Sequence, residues 1–182
     1  MNYQDIAKAK ELFSKVASLC DTIEEAGLWK KPLDITISLR DVLKTDIGSF
    51  ILYLSASDGH LSNEEVQAFR IITGFGGDDT DSLRQAIKKN NIYSMEFESE
   101  PPLILKLLSQ AEREAMWRGV DLDSSVLRPV AFLFKLVGRI IVSIDGGITY
   151  SEKRDLNIIS GTIDAFVEEH DIVGNSYSLF DD

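Results

Sequence analysis

Residues 50–74, FILYLSASDGHLSNEEVQAFRIITG, lie without a gap over residues 137–161, VGRIIVSIDGGITYSEKRDLNIISG, at a constant offset of 87 that carries Asp58 onto Asp145. Each stretch ends an apolar run with Asp-Gly and places a Glu seven residues after the Asp: Asp58-Gly59 leads to Glu65, and Asp145-Gly146 to Glu152. Self-similarity of this kind marks a fold assembled from repeated units. Phe50, Ile51 and Leu54 stand at helical spacing before the first turn, and Val66, Phe69 and Ile72 resume that spacing after it. The pattern predicts a helix, a tight turn and a second helix, twice over. Gly59 and Gly146 suit the left-handed backbone that ends a helix. Ser62 and Thr149 stand three residues before Glu65 and Glu152, the spacing of a capping box. Each box is expected to stabilise its helix start by roughly 1 kcal/mol. This reading accounts for the Gly, the hydroxyl residue and the Glu without any ligand.

The Asp invites a second reading, because Asp-Gly followed by a Glu is also the latter half of a calcium-binding EF-hand loop. That loop puts Gly at position six and its closing Glu at position twelve, with oxygen ligands at one, three and five. With Gly59 at six, positions one and three are Leu54 and Ala56; with Gly146 at six they are Ile141 and Ser143. The register offers a hard cation too few oxygens for an EF-hand. What remains is a weaker divalent-cation site at each turn, with Asp58 and Glu65 or Asp145 and Glu152 as ligands and Glu64 or Asp155 as additions.

An apolar helix running into Ser55-Ala56-Ser57-Asp58-Gly59-His60-Leu61-Ser62-Asn63-Glu64-Glu65, and again into Val142-Ser143-Ile144-Asp145-Gly146-Gly147-Ile148-Thr149-Tyr150-Ser151-Glu152, resembles the TerB-like (tellurite-resistance B) domain family. The family's preferred Ala before the Asp is missing from the second copy, where Ser143 and Ile144 stand. The resemblance covers roughly residues 34–170. It implies an all-helical, duplicated domain without catalytic machinery, of a kind found in bacterial stress-response and defence proteins, with metal binding or protein-complex assembly as its role.

The 182 residues, 44% hydrophobic and 27% charged, suit one globular domain with a substantial core. The chain reads as an N-terminal helix and connector (1–33), the duplicated helical domain (34–170) and an acidic tail (171–182). About seven helices are expected and no substantial sheet. The stripe Ile6, Ala9, Phe13, Val16, Cys20 and Ile23 marks the first helix, closed by Gly27 and Pro32. Trp29 follows in a connector, either plugging the bundle or anchoring a partner. Asp34 to Ser57 and Ser62 to Gly74 form the first helical pair. A short helix is expected between Asp78 and Asn90, its acidic start and basic end matching the helix dipole. Tyr93, Met95 and Phe97 alternate as a short extended segment would. Pro101 and Pro102 fall in the first turn of the next helix. Asp121 to Ser125 open the central helix of the second copy, and Thr149 to His170 form the last one.

The net charge of −11 is concentrated in residues 145–182, which carry nine acidic and two basic side chains. So acidic a chain lacks the clustered Lys and Arg that phosphate contacts require, which argues against direct nucleic-acid binding. It favours a partner with a basic surface. The tail carries Tyr177, Leu179 and Phe180 among acidic residues and reads as a partner-binding peptide, mobile at its end. No apolar run reaches spanning length, no secretory leader is apparent, and the one cysteine, Cys20, falls on an apolar stripe; a cytoplasmic location is expected. His60 and His170 are the only histidines, and neither has a Ser or Cys nucleophile at a signature spacing. A non-catalytic adaptor or regulatory subunit is therefore expected. The alternatives are a divalent-metal-binding stress protein and an acidic immunity protein masking a basic toxin.

Overall fold

The computed structural model describes residues 2–29, 37–56, 62–77, 79–83, 85, 96–122, 124–144 and 150–173. Among the described residues the fold is all-helical, with seven helices: α1 (Tyr3–Glu25), α2 (Leu39–Ala56), α3 (Asn63–Thr73), a short α4 seen at 80–83 and 85, α5 (Leu103–Arg118), α6 (Leu127–Ile141) and α7 (Tyr150–His170). α1 buries the stripe read from its sequence and packs against α2, α3 and α6. α2 and α6 meet in the middle, where Phe50 lies 5.5 Å from Phe134 and 5.7 Å from Phe97 between ring centroids. α6 buries nearly its whole circumference, leaving Arg128, Phe132 and Arg139 as its outward row. α5 packs on α2 and α6, and α7 lies chiefly along α6.

Several boundaries differ from the sequence expectation. Pro101 and Pro102 precede α5 instead of occupying its first turn, with Pro102 at the N-cap; proline supplies no side-chain cap, so the start of the helix depends on a group from elsewhere. α6 begins at Leu127, after Asp121–Ser125, and Pro129 is its third residue. Phe97 is buried in a turn fixed by Tyr53, whose hydroxyl donates to Glu98, and by Thr162, whose hydroxyl donates to the Glu98 carbonyl at 3.0 Å. Tyr93 and Met95 lie outside the described residues.

Three helix starts are capped by carboxylates of other helices. Glu24 on α1 accepts the Leu39 amide of α2 at 2.8 Å, Asp46 on α2 accepts the Ile104 amide of α5 at 2.7 Å, and Glu112 on α5 accepts the Val126 amide at the mouth of α6 at 2.9 Å. Each carboxylate satisfies an otherwise orphaned donor and faces the positive end of a helix dipole. The elements of the bundle are thus joined in sequence by buried polar contacts as well as by apolar packing.

Candidate functional site

α3 opens with the capping box expected from its sequence. Ser62 Oγ accepts the Glu65 amide at 3.2 Å, and Glu65 Oε2 accepts the Ser62 amide at 2.7 Å. The other carboxylate oxygen, Oε1, accepts the Ser55 hydroxyl at 2.9 Å, so Glu65 clasps the end of α2 to the start of α3. Glu65 is buried, with both oxygens engaged in this clasp. Glu152 is buried at the corresponding place in α7, which starts at Tyr150 as α3 starts at Asn63, 87 positions apart. Asp58 and Asp145, the other two candidate metal ligands, lie outside the described residues, as does His60. Of the additional ligands considered, Glu64 is exposed and Asp155 is buried against the Arg154 guanidinium at 3.0 Å. Among the described residues no group of three or more His, Cys, Asp or Glu side chains is arranged to hold a metal ion.

Of the candidate partner residues only Trp29 is described, and it takes the first of its two expected roles, plugging the bundle. Trp29 is only 8% exposed and belongs to the core cluster, so its indole serves packing and is not presented as an anchor. Tyr177, Leu179 and Phe180 lie outside the described residues. The described start of the tail is tied down: Asp171 is buried, its amide donates to the Val167 carbonyl at 2.8 Å and its carboxylate pairs with Arg128. His170 stacks on Phe166 with 4.2 Å between ring centroids. Cys20 is buried, and burial pushes its thiol up to about 12, far from a reactive thiolate.

An opening that the sequence did not reveal lies at the C-terminal end of α5. A hollow of about 230 Å³ is bounded by Glu112, Ala115, Met116, Leu122, Ile172 and Val173, with Val120 and Asp121 at its edge. Gly119 ends α5 in the left-handed conformation (φ 66°) and turns the chain so that Val120–Leu122 come round the hollow. Met116, on its wall, is 56% exposed, and Trp117, which follows it on α5 but does not line the hollow, is 86% exposed. The surrounding charges are Asp121 at the edge, Asp171 with its partner Arg128, and Glu112 beneath. Glu112 is 1% exposed; burial pushes its carboxyl up to about 7, the nearby Asp171 charge adds to the rise, and the amides of Val126, Ile172 and Leu127 pull the other way. Asp46, equally buried under α5, is also raised to about 7 by burial, opposed by the Ile104 amide and the Lys106 charge.

Both buried carboxylates left a trace in the sequence. Asp46 falls between Val42 and Phe50, and Glu112 between Leu108 and Ala115, on stripes that are otherwise apolar. Trp117 falls off its helix's stripe, which is the signal for an outward indole. No helix among the described residues is long and apolar enough to cross a membrane. Comparison with protein-family models, with curated proteins and with solved structures finds no match.

Proposed function

We propose that this chain is a non-catalytic protein-binding module, an adaptor or regulatory subunit of a larger bacterial stress-response or defence assembly, with the duplicated helical plan of TerB-like domains. The observation that carries the reading is the exposed Met116 on the wall of an apolar hollow that the buried Glu112 also lines, with Trp117 exposed on the same helix. Exposed large apolar side chains near a concave apolar surface mark protein interfaces. The net charge of −11 favours a basic partner surface and faster association with it. The helix-linking roles of Asp46, Glu65 and Glu112 account for conspicuous buried acids without enzymatic chemistry.

The test is affinity capture of the tagged chain from its own cells, with and without EDTA, beside Trp117→Ala. A stoichiometric partner that survives chelation and is lost with Trp117→Ala supports the adaptor reading. A partner lost only with EDTA moves the function to a cation at Asp58 and Asp145, and no partner under either condition overturns the adaptor.

A further inference from the structure

The hollow at the end of α5 is more than an apolar dent. Glu112 Oε1 is committed to the Val126 amide, whereas Oε2 has no hydrogen-bond partner among the described residues although the side chain is 1% exposed. A buried carboxylate oxygen left without a full partner costs free energy that a donor entering the hollow would recover. The fixed compensation around the carboxyl is the Val126 and Leu127 amides at the start of α6 and the Ile172 amide. The start of α6 contributes about half a positive charge. Arg128 is the cation paired with Asp171, and among the described residues no basic side chain lines the hollow beside Glu112 and the exposed Asp121. Other basic residues of α5 are committed elsewhere, Arg118 to Glu114 at 2.7 Å and Arg113 to the Ser109 hydroxyl at 3.3 Å.

The walls select the shape of what enters. Ala115, Leu122, Ile172 and Val173 are apolar, so a small hydrated cation would lose its water there without replacement oxygens. A cation on a long apolar stem fits both demands, because Lys and Arg lay their methylenes on apolar surface while the head group finds a carboxylate. Met116 and Val120, both on the wall of the hollow and both exposed, provide an apolar shelf for the rest of a protein segment, which a free small amine would leave uncovered.

We propose that this hollow is the seat for a lysine or arginine side chain presented by an apolar segment of a partner protein, with its stem on Leu122, Ile172 and Val173 and its charge over Glu112. The inference rests on the adaptor reading and adds to it the chemistry of the partner and the place where it docks. The charged groups around the seat are Glu112, Asp121, Asp171 and Arg128, and the occupant supplies the missing positive charge.

The probe is a 16-residue helical peptide with one central Lys on a Leu/Ala face, compared with the same peptide carrying norleucine. Binding is read by titration of the full chain and by methyl NMR at Met116, Val120 and Ile172. The Lys peptide is expected to bind at least roughly tenfold more tightly than the norleucine peptide. Glu112→Gln, which keeps an acceptor for the Val126 amide, should erase that difference; Asp121→Asn, at an exposed position, should reduce it. Ala115→Met, which fills the hollow, should weaken both peptides. Equal binding of the two peptides, a Lys preference that survives Glu112→Gln, or free n-butylammonium binding as tightly as the peptide would each overturn the seat. Capture from the native cells separates this failure from the broader one. A native partner held equally by wild type and Ala115→Met, with no Lys preference, removes the seat and leaves the adaptor; Lys-dependent peptide binding without any native partner keeps the seat and removes the adaptor.

Discussion

The two helical pairs joined by the Asp-Gly turns are alike in sequence and differ in how they close. α3 packs chiefly on α1, whereas α7 lies along α6. One aligned position goes far to explain this: Ile51 in α2 falls on Gly138 in α6. Ile51 is fully buried and occupies the space between helices. At Gly138 a Cβ would sit 2.4 Å from Leu156 Cδ1 and 3.1 Å from Phe50 Cζ, so the missing side chain is what lets α7 and α2 approach α6 closely. α3 leaves its own partner α2 for the N-terminal helix, whereas α7 stays on its own partner α6. Similar local sequence therefore sets the helices and turns, while a single side chain helps decide which neighbour each helix chooses.

Breaking this difference from the first side is expected to have the largest effect. Ile51→Gly removes a buried branched side chain and adds helical backbone freedom, and should cost about 4 kcal/mol in denaturant unfolding. A loss below about 1 kcal/mol would mean that the position does not control packing.

The pH dependence of stability is the next largest effect, and it belongs to the carboxylates that join the two halves. Folding raises the carboxyls of Asp46 and Glu112 to about 7, so their contribution is greatest below their unfolded values and is lost as pH rises through 7. Raising the pH from about 4.5 to 7.5 should therefore cost on the order of 2 kcal/mol through each group. Asp46→Asn combined with Glu112→Gln should remove that slope in chemical melts taken across the interval. An unchanged slope would assign the pH dependence to other groups.

Gly138→Ala tests the second side of the comparison and should cost about 1–2 kcal/mol by overpacking against Leu156 and Phe50. Adding Leu156→Ala should make the alanine at 138 nearly neutral, because the side chain in closest conflict has gone; the double-mutant cycle measures this relief. The smallest effect concerns the turns. Ser62→Ala should cost about 1 kcal/mol by opening the capping box at the start of α3. Thr149→Ala with a similar loss would make the two turns equivalent in energy as well as in sequence, and a negligible loss would separate them.

The capping box was legible because its partners are three residues apart: Ser62 and Glu65 meet wherever that helix begins, and their residue types announce the start. The stripes of α1, α2 and α6 were legible for the same reason, since helical period alone gathers their apolar residues onto a face. The hollow was less so. Glu112 and Asp46 stood out only as acids on apolar stripes, and nothing local says which amide each will meet. The two tryptophans differed in this respect: Trp117 falls off its helix's stripe and is 86% exposed, whereas Trp29 stands in a connector with no stripe to read, and only the packing leaves it 8% exposed.

By itself the sequence determined an all-helical chain, the starts of the two helices that follow the Asp-Gly pairs, and a net negative charge. These follow from periodicity, short-range hydrogen bonding and net charge, none of which needs distant residues to be brought together. Only the tertiary structure decided that Glu24, Asp46 and Glu112 cap neighbouring helices and that a hollow forms between α5 and the chain after α7. The capped amides lie 15, 58 and 14 residues from their carboxylates, and such partners are chosen by how the apolar faces pack, not by any local preference of the backbone.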